Sequence, residues 1–515
     1  MYTAPAILVG VVALPLFASL TAPLAGSRSP RIVGRIGASA AGAGFLGAAL
    51  LGLAVTIDGP VSATLRTQHG TQLVELEADR LSALLLVLVY GVSAVVQAFA
   101  LRYLAGDGRA HWFTAGAGLL TTASAGLMTA GTLVGLAISW TSAGAALCLL
   151  LATYWELPAA REGVRRTATA FVLGDLALWL AVGLVTAHGG NVRLSTSSNN
   201  GIEQSPLLPA AAALIVVAAL SRSAQIPFQS WLPATLAAPT PVSALLHAGV
   251  VNAGGVLLVR LSPIVTGSAV AMALAFGAGM LSMVYGGVVM LTRADIKGAL
   301  VYSTMAQMGF MILTCGLGLS AAAVFHLVGH GFYKATLFLS SGSAIARRRQ
   351  KASRPAAPNL TAPRRTAIRL AAMLVSAAAL YAAAAIVRVP AAEHGSATAL
   401  LIFTWATVAA ALAGWLSRIS GARAALAGGA ALLTAAVGYV ALMRAVTGFL
   451  APDLPAATVP AAATPALAAV AVVLGALALA RQAPPNGRTG RLQRAVYTKA
   501  LVAGQIPMTT TGAFR

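Results

Sequence analysis

An all-α polytopic membrane protein of about 15 transmembrane helices, N-terminus outside and C-terminus inside, is the fold class this sequence predicts. Three observations carry the prediction. Of 515 residues, 58% are hydrophobic and only 9% charged, with a mean hydropathy of +0.83, whereas a soluble domain has about a quarter of its residues charged. Apolar runs long enough to cross a bilayer recur along the whole chain. The 34 Lys and Arg, set against 12 Asp and Glu, gather in alternate loops. This balance excludes a soluble enzyme and a disordered chain. A net charge of +22 in a soluble protein would suggest a nucleic-acid partner. Here it reads as the positive-inside bias, and no aromatic-rich RNA-binding pattern accompanies it.

The runs lie near 4–24, 33–56, 81–101, 112–131, 132–154, 168–187, 207–225, 241–262, 268–291, 297–317, 320–346, 366–388, 397–416, 422–445 and 461–480. Each is a helix in this reading, because backbone facing lipid must satisfy its own hydrogen bonds. No basic residue precedes the first run, so it reads as a retained span rather than a cleaved signal. With the N-terminus outside, the inside loops are 27–35, 102–111, 156–166, 221–239, 293–297, 347–365, 417–423 and the tail from 481, and nearly all carry Arg or Lys. The outside loops, 58–77, 188–206, 387–396 and 447–460, are poorer in basic residues and hold several acids. The protein is therefore expected as a multi-pass protein of the cell (inner, plasma) membrane.

Three stretches are not simple spans. Residues 58–79 read as an exposed hairpin ending in an amphipathic acidic segment. Residues 225–241 (QIPFQSWLPATLAAPTP) carry Pro227, Pro233, Pro239 and Pro241, and read as a broken helix. Such a break is tolerated at membrane depth where it lines a cavity or is buried in protein, and it often marks a transport site. Residues 347–365 read as a basic, Pro-rich cytoplasmic linker. The organisation that follows is 1–79 as N-terminal helices and hairpin, 80–346 as a conducting core, the linker, 366–481 as an Ala-rich helical scaffold, and 482–515 as a basic tail.

Ionisable residues inside spans carry the chemistry, because a charge at the bilayer centre costs on the order of 3 kcal/mol. They are Asp175, Arg222, His247, Lys297, His326, His330 and Lys334. The last three are spaced i, i+4, i+8 and so fall on one stripe of one helix. Two imidazoles and an amine in a row suit stepwise proton movement. A lone histidine on an apolar helix is more often a packing residue than a relay, Lys297 also reads as snorkelling to the cytoplasmic face, and Arg222 and Arg260 also read as interfacial anchors. His247 and Asp175, taken singly, leave packing and proton transfer open. No Walker motif is present, no quinone, flavin or haem site is legible, and Cys148 and Cys315 lack a zinc-ligand or disulfide pattern.

The stretches RSAQIPFQSWLPATLAAPTPVSALLHAGVVNAGGVLLVRL (222–261), DIKGALVYSTMAQMGFMILTCGLG (295–318) and HLVGHGFYKATLFLSSGSAI (326–345) resemble the proton-conducting membrane subunits related to the large antiporter-like subunits of respiratory complex I. That superfamily includes the L, M and N subunits of complex I, the Mrp Na+/H+ antiporter subunits and the DabB subunits of inorganic-carbon accumulation complexes. The resemblance spans roughly residues 75–346. It implies a symmetric-repeat bundle with broken helices and a hydrophilic axis of Lys, His and Glu. It also implies that Lys334 is the central lysine, that His326 and His330 are its neighbours, that His247 is the histidine after PTPVSAL, and that Asp175 is an acidic residue of the pathway.

Two departures stand out. In complex I and Mrp subunits a glutamate of the fifth helix pairs with a lysine of the seventh. Here the fifth helix, AISWTSAGAALCLLLATYW, has no central carboxylate, Glu156 lies only at its end, and Arg222 occupies the lysine position. A second broken helix with a buried lysine and a long lateral helix are also missing from the pattern. The wording is most similar to the DabB family. The resemblance implies a DabA-like cytoplasmic partner, a zinc protein resembling β-carbonic anhydrase, with no cofactor in this chain and the zinc in the partner. The function expected is proton conduction coupled to CO2 or bicarbonate accumulation, as a transporter subunit rather than an enzyme. The alternatives are a subunit L-like proton-pumping subunit of NADH-quinone oxidoreductase, an Mrp-type cation/proton antiporter subunit, or a membrane anchor for a partner.

Overall fold

The computed structural model describes the chain except residues 1–2, 27, 67–71, 190–191, 195–205, 344–360, 391–393, 419–421, 455–464, 471–486 and 505–515. The expected linker at 347–365 and part of the basic tail therefore lie largely outside the described residues. The first helices are α1 (Thr3–Ala25) and α2 (Pro30–Asp58), followed by a hairpin of β1 (Val61–Arg66) and β2 (Gln72–Ala78). Then come α3 (Arg80–Tyr103), α4 (Ala110–Thr129), α5 (Leu133–Leu151), α6 (Pro158–Gly189) and α7 (Leu208–Arg222). Short pieces follow: α8 (Trp231–Ala234), α9 (Thr240–Ala248), α10 (Ala253–Arg260) and α11 (Ser262–Thr266). The chain continues through α12 (Ala269–Met290), α13 (Ile296–Gly316), α14 (Ser320–Leu339), α15 (Ala362–Val387), α16 (His394–Leu416), α17 (Ala422–Leu450) and α18 (Gly487–Ala503).

Helix starts follow local chemistry. Asp79 accepts from the Ser82 amide at the head of α3, Thr132 caps α5, Ser268 caps α12 and Asp295 caps α13. Among the described residues, eleven segments are long and apolar enough to cross a bilayer. Of the other expected spans, α7 has 15 residues, while α4 and α14, each with 20, are more polar. The fifteen-span expectation is thus not confirmed as a count, and the run at 461–480 is mostly outside the described residues.

The hairpin is present and antiparallel, pairing Val61 with Ala78 and Ala63 with Leu76. It is less exposed than expected. The Gly131 amide donates to the Glu75 carbonyl at 2.9 Å, and the Leu194 amide to the Gly131 carbonyl at 2.9 Å, so the connection before α5 seals β2 along its edge. Arg193 pairs with Glu75 at 3.1 Å on the same flank.

One core joins α1–α14, and a second cluster joins Phe310 and Leu313 of α13 to Leu380, Leu400 and Val440 of the C-terminal helices. α12 and α13 approach until their backbones touch. A Cβ on Gly279 would lie 2.6 Å from the Gly309 carbonyl oxygen, and one on Gly309 would lie 2.6 Å from that of Gly279. Without a hydrophobic drive between helices in lipid, this close packing of small residues is what holds them.

The stretch expected as a broken helix is interrupted, α7 ending at Arg222 and a longer helix resuming only at Thr240. Pro227 lies in a turn after α7 and Pro233 inside the one-turn α8, while Pro239 and Pro241 sit at the start of α9, where a missing N–H leaves nothing unpaired. A further break falls later, at Val250–Asn252, between α9 and α10. Side chains satisfy the freed carbonyls: Asn252 Nδ2 donates to Ala248 O at 2.7 Å and Ser223 Oγ to Val251 O at 2.8 Å. The turns after α7 are stitched likewise, by Ile226 N to Ser282 Oγ at 2.9 Å and by Trp231 Nε1 to Ser221 O at 2.9 Å. This meets the demand for complete hydrogen bonding at membrane depth.

Candidate functional site

His326, His330 and Lys334 do share one face of α14. The two imidazoles stand with ring centroids 5.8 Å apart, and His330 and Lys334 are fully buried. Lys334 Nζ donates to the Leu300 carbonyl at 3.3 Å and to Ser303 Oγ, both on α13. It has no ion-pair partner among the described residues. A buried ammonium held by neutral acceptors has no carboxylate fixing its charge, an arrangement compatible with proton exchange.

His247, near the end of α9, faces this stripe. Its ring stacks on Phe338, one turn beyond Lys334, at 4.3 Å and 7°. His247 Nδ1, both ring nitrogens of His330 and Nε2 of His326 are buried without a protein hydrogen-bond partner. Gln225 Oε1, Asn252 Oδ1 and Gln307 Oε1 are similarly unpaired. Such atoms ordinarily pair with protein or ordered water. Lys297, in the first turn of α13, turns inward rather than snorkelling away: its Nζ donates to the Ala238 carbonyl at 3.2 Å, just before Pro239.

The far end of the stripe is closed by aromatic rings. His326 meets Phe310 of α13 edge-on at 5.1 Å and Phe403 of α16 at 5.3 Å, and the two phenylalanines stack at 4.3 Å. The C-terminal helices, read from sequence as scaffold alone, thus supply a side chain to the stripe.

Asp175 and Arg222 form a separate centre. Arg222 Nη2 donates to Asp175 Oδ1 at 2.8 Å, Nη1 donates to the Trp140 carbonyl at 3.2 Å, and Trp140 Nε1 donates to Asp175 Oδ1 at 2.8 Å. The guanidinium lies between the rings of Trp140 (4.5 Å) and Phe171 (4.1 Å). No hydrogen bond or ion pair joins this centre to the α14 stripe among the described residues. A Cβ on Gly144 of α5 would come within 2.8 Å of Arg222 Nη1, so the absent side chain is what admits the guanidinium. Ser303, Phe310, Phe403, Trp140 and Gly144 were missed in the sequence reading. The one related signal in the sequence was the fifth helix without a central carboxylate, the stretch that holds Trp140 and Gly144.

Arg260 is an anchor, donating to Ser82 Oγ at 3.0 Å and to the carbonyls of Met128 and Ala130 at the hairpin end of the bundle. Outside the spans, burial together with neighbouring Asp79 pushes the Glu77 carboxyl up. The Tyr154 hydroxyl, donating to Asp107, holds that carboxyl below its ordinary range. Among the described residues, no group of three His, Cys, Asp or Glu is arranged to hold a metal ion.

The chain is similar to known proteins over this region. A family described as NADH:quinone oxidoreductase/Mrp antiporter matches residues 130–385, and one described as NADH-ubiquinone oxidoreductase (complex I), chain 5 N-terminus, matches residues 71–114. The probable inorganic carbon transporter subunit DabB1 of Halothiobacillus neapolitanus is 38% identical over 296 residues, covering 56% of this chain and 53% of that protein. The NAD(P)H-quinone oxidoreductase chain 5 of Synechocystis is 34% identical over 275 residues, covering 52% of this chain and 40% of that one. The aligned region thus spans about half the length of the curated DabB relative. Among solved structures, the Mrp complex from Dietzia matches with a TM-score of 0.62 at 25% identity, covering 98% of this chain and 60% of that one. An archaeal membrane-bound sulfane sulfur reductase shares the fold, with a TM-score of 0.61 at 19% identity and 97% of each chain covered.

Proposed function

The chain belongs to the family of antiporter-like membrane subunits shared by NADH:quinone oxidoreductases and Mrp antiporters, and from that premise we propose that it is the proton-conducting subunit of a DabA–DabB-type inorganic-carbon accumulation complex. One observation carries the reading. Lys334 is buried in line with His330 and His326 on one face of α14, and its ammonium has only neutral acceptors on α13. Inserting such a charge costs roughly 3 kcal/mol, and no ion pair among the described residues offsets it.

In this reading protons move between His326, His330, His247 and Lys334 through ordered water bound at the unpaired ring nitrogens. Lys297 stands at the Pro239 end of the route. Gain and loss of charge at Lys334 bias the α9/α10 break, whose first half packs on α14 through the His247–Phe338 stack. Arg222 stays protonated and contributes fixed charge beside the route. With the N-terminus outside, the 347–365 linker and the basic tail face the cytoplasm, where a DabA-like zinc protein docks and supplies the hydration chemistry. No cofactor is needed in this chain, and it acts as a transporter subunit rather than an enzyme.

Lys334→Ala is expected to abolish carbon-dependent growth rescue and proton influx into proteoliposomes, with the protein still inserted; full rescue by that variant would overturn the proposal. The likeness to the Mrp complex across nearly the whole chain favours cation/proton antiport as the second reading. Salt sensitivity of a deletion strain, without a carbon phenotype, would select it. Co-purification of redox subunits instead of a zinc protein would select an NADH-quinone oxidoreductase.

A further inference from the structure

A cavity of about 520 Å³ opens at the end of the bundle where α1 and α3 finish and α2 and α4 begin. Arg28 and Arg31 line it, and neither has a hydrogen-bond or ion-pair partner among the described residues. Two long helices start at its rim, α2 at Pro30 and α4 at Ala110, so two positive dipole ends meet there. Its wall is apolar, including Ile32 and Leu101. Gln97, 4% exposed, also lines the cavity, and its Oε1, packed against Gly37 of α2, has no partner. One acid, Asp107, also lines the cavity, but its carboxylate is already engaged, accepting from the Arg109 amide at 2.8 Å and from the Tyr154 hydroxyl. The net field is positive.

We infer that this cavity binds the phosphate of an anionic phospholipid headgroup, with Arg28 and Arg31 on the phosphate and the lipid's acyl-glycerol region against Ile32 and Leu101. Two free guanidiniums suit a phosphate oxygen pair. A polar rim over an apolar wall, at the end of membrane-crossing helices, is the shape a lipid fills and a soluble anion does not. The basic loops assign this end to the cytoplasmic leaflet, where anionic lipid is held by juxtamembrane arginines. The site is remote from the α14 stripe in sequence and does not depend on proton conduction.

The test is native mass spectrometry of the full chain released from nanodiscs of phosphatidylglycerol or phosphatidylcholine. The wild type is expected to keep phosphatidylglycerol and not phosphatidylcholine. Arg28→Gln/Arg31→Gln is expected to lower retention by tenfold or more, while Arg28→Lys/Arg31→Lys keeps most of it. Ile32→Trp, which narrows the cavity and leaves both charges, is expected to lower retention as well, so the result stands even if the glutamine variant fails to fold. Equal retention of the two lipids, unchanged retention in both the glutamine and tryptophan variants, or displacement of the lipid by millimolar inorganic phosphate or glycerol 3-phosphate would each overturn the inference.

Discussion

Buried Arg222 of α7 and half-buried Asp175 of α6 form an ion pair at 2.8 Å, and Trp140 of α5 donates to the same carboxylate oxygen. Three helices are therefore tied at one point. The acid comes from the sixth helix, and Gly144 on the fifth makes the space that the guanidinium fills. Breaking a buried pair by removing one partner costs about 3–5 kcal/mol, because the other charge is left without compensation.

Asp175→Asn is accordingly expected to lower the thermal unfolding midpoint in detergent strongly, and Asp175→Asn/Arg222→Met to recover part of the loss. Arg222→Lys keeps the charge but gives up the Trp140 carbonyl bond and the ring stacking, so a smaller drop is expected. Proton influx per folded molecule should be nearly unchanged in Arg222→Lys. A loss of influx as deep as that of Lys334→Ala would make Arg222 part of the route rather than a fixed charge beside it.

Much of this was open to sequence reasoning, and the division is physical. The face shared by His326, His330 and Lys334 is a local property of one helix, set by the 100° step per residue. The apolar runs are legible for a similar reason, since each span must satisfy its backbone alone. The Asp175–Arg222 pair joins residues 47 apart, and nothing local marks it. The interruption at 225–241 was legible from its prolines, whereas the α9/α10 break carries none and rests on Asn252 and on Ser223, which lies on a different segment. Phe403 escaped notice because its role exists only once α16 packs against α13 and α14.

Asn252 gives a direct check on that break. Its Nδ2 satisfies the Ala248 carbonyl at 2.7 Å within the fully buried kink. Asn252→Leu leaves that carbonyl unpaired, at about 1–3 kcal/mol. The expected outcome is a lower unfolding midpoint together with altered proton influx, because the break and His247 lie on adjoining pieces. A stable variant with wild-type influx would separate the kink from conduction.

Ser303 accepts from Lys334 and is the one side chain holding its ammonium among the described residues. Ser303→Ala leaves the Leu300 carbonyl as sole acceptor. Influx is expected to fall several-fold, with little change in stability, as measured by pH-dye quenching in proteoliposomes. Ser303→Thr, which keeps the hydroxyl, should retain most of the activity.

The stacked pair Phe310–Phe403 closes the stripe beyond His326, and an apolar constriction of this kind excludes water and so blocks protons. Phe403→Ala is expected to raise proton leak in the absence of substrate, while Phe403→Leu, which keeps an apolar plug, is expected to stay tight. Equal leak in wild type and Phe403→Ala, with both folded, would remove the aromatic pair from gating.

Glu77 supplies the pH dependence. Burial and the charge of Asp79 raise its carboxyl above the ordinary value of 4.5, so the folded state disfavours its ionised form. Below the unfolded value the group is protonated in both states and contributes no penalty. The penalty builds as pH rises from the unfolded value through the folded one and is complete above it. Glu77→Gln should therefore raise the unfolding midpoint at pH 7, by on the order of 1 °C given the size of the chain and the partial exposure of the group. It should leave the midpoint unchanged at pH 4. A gain of the same size at both pH values would mean that the substitution acts through hairpin packing instead of charge.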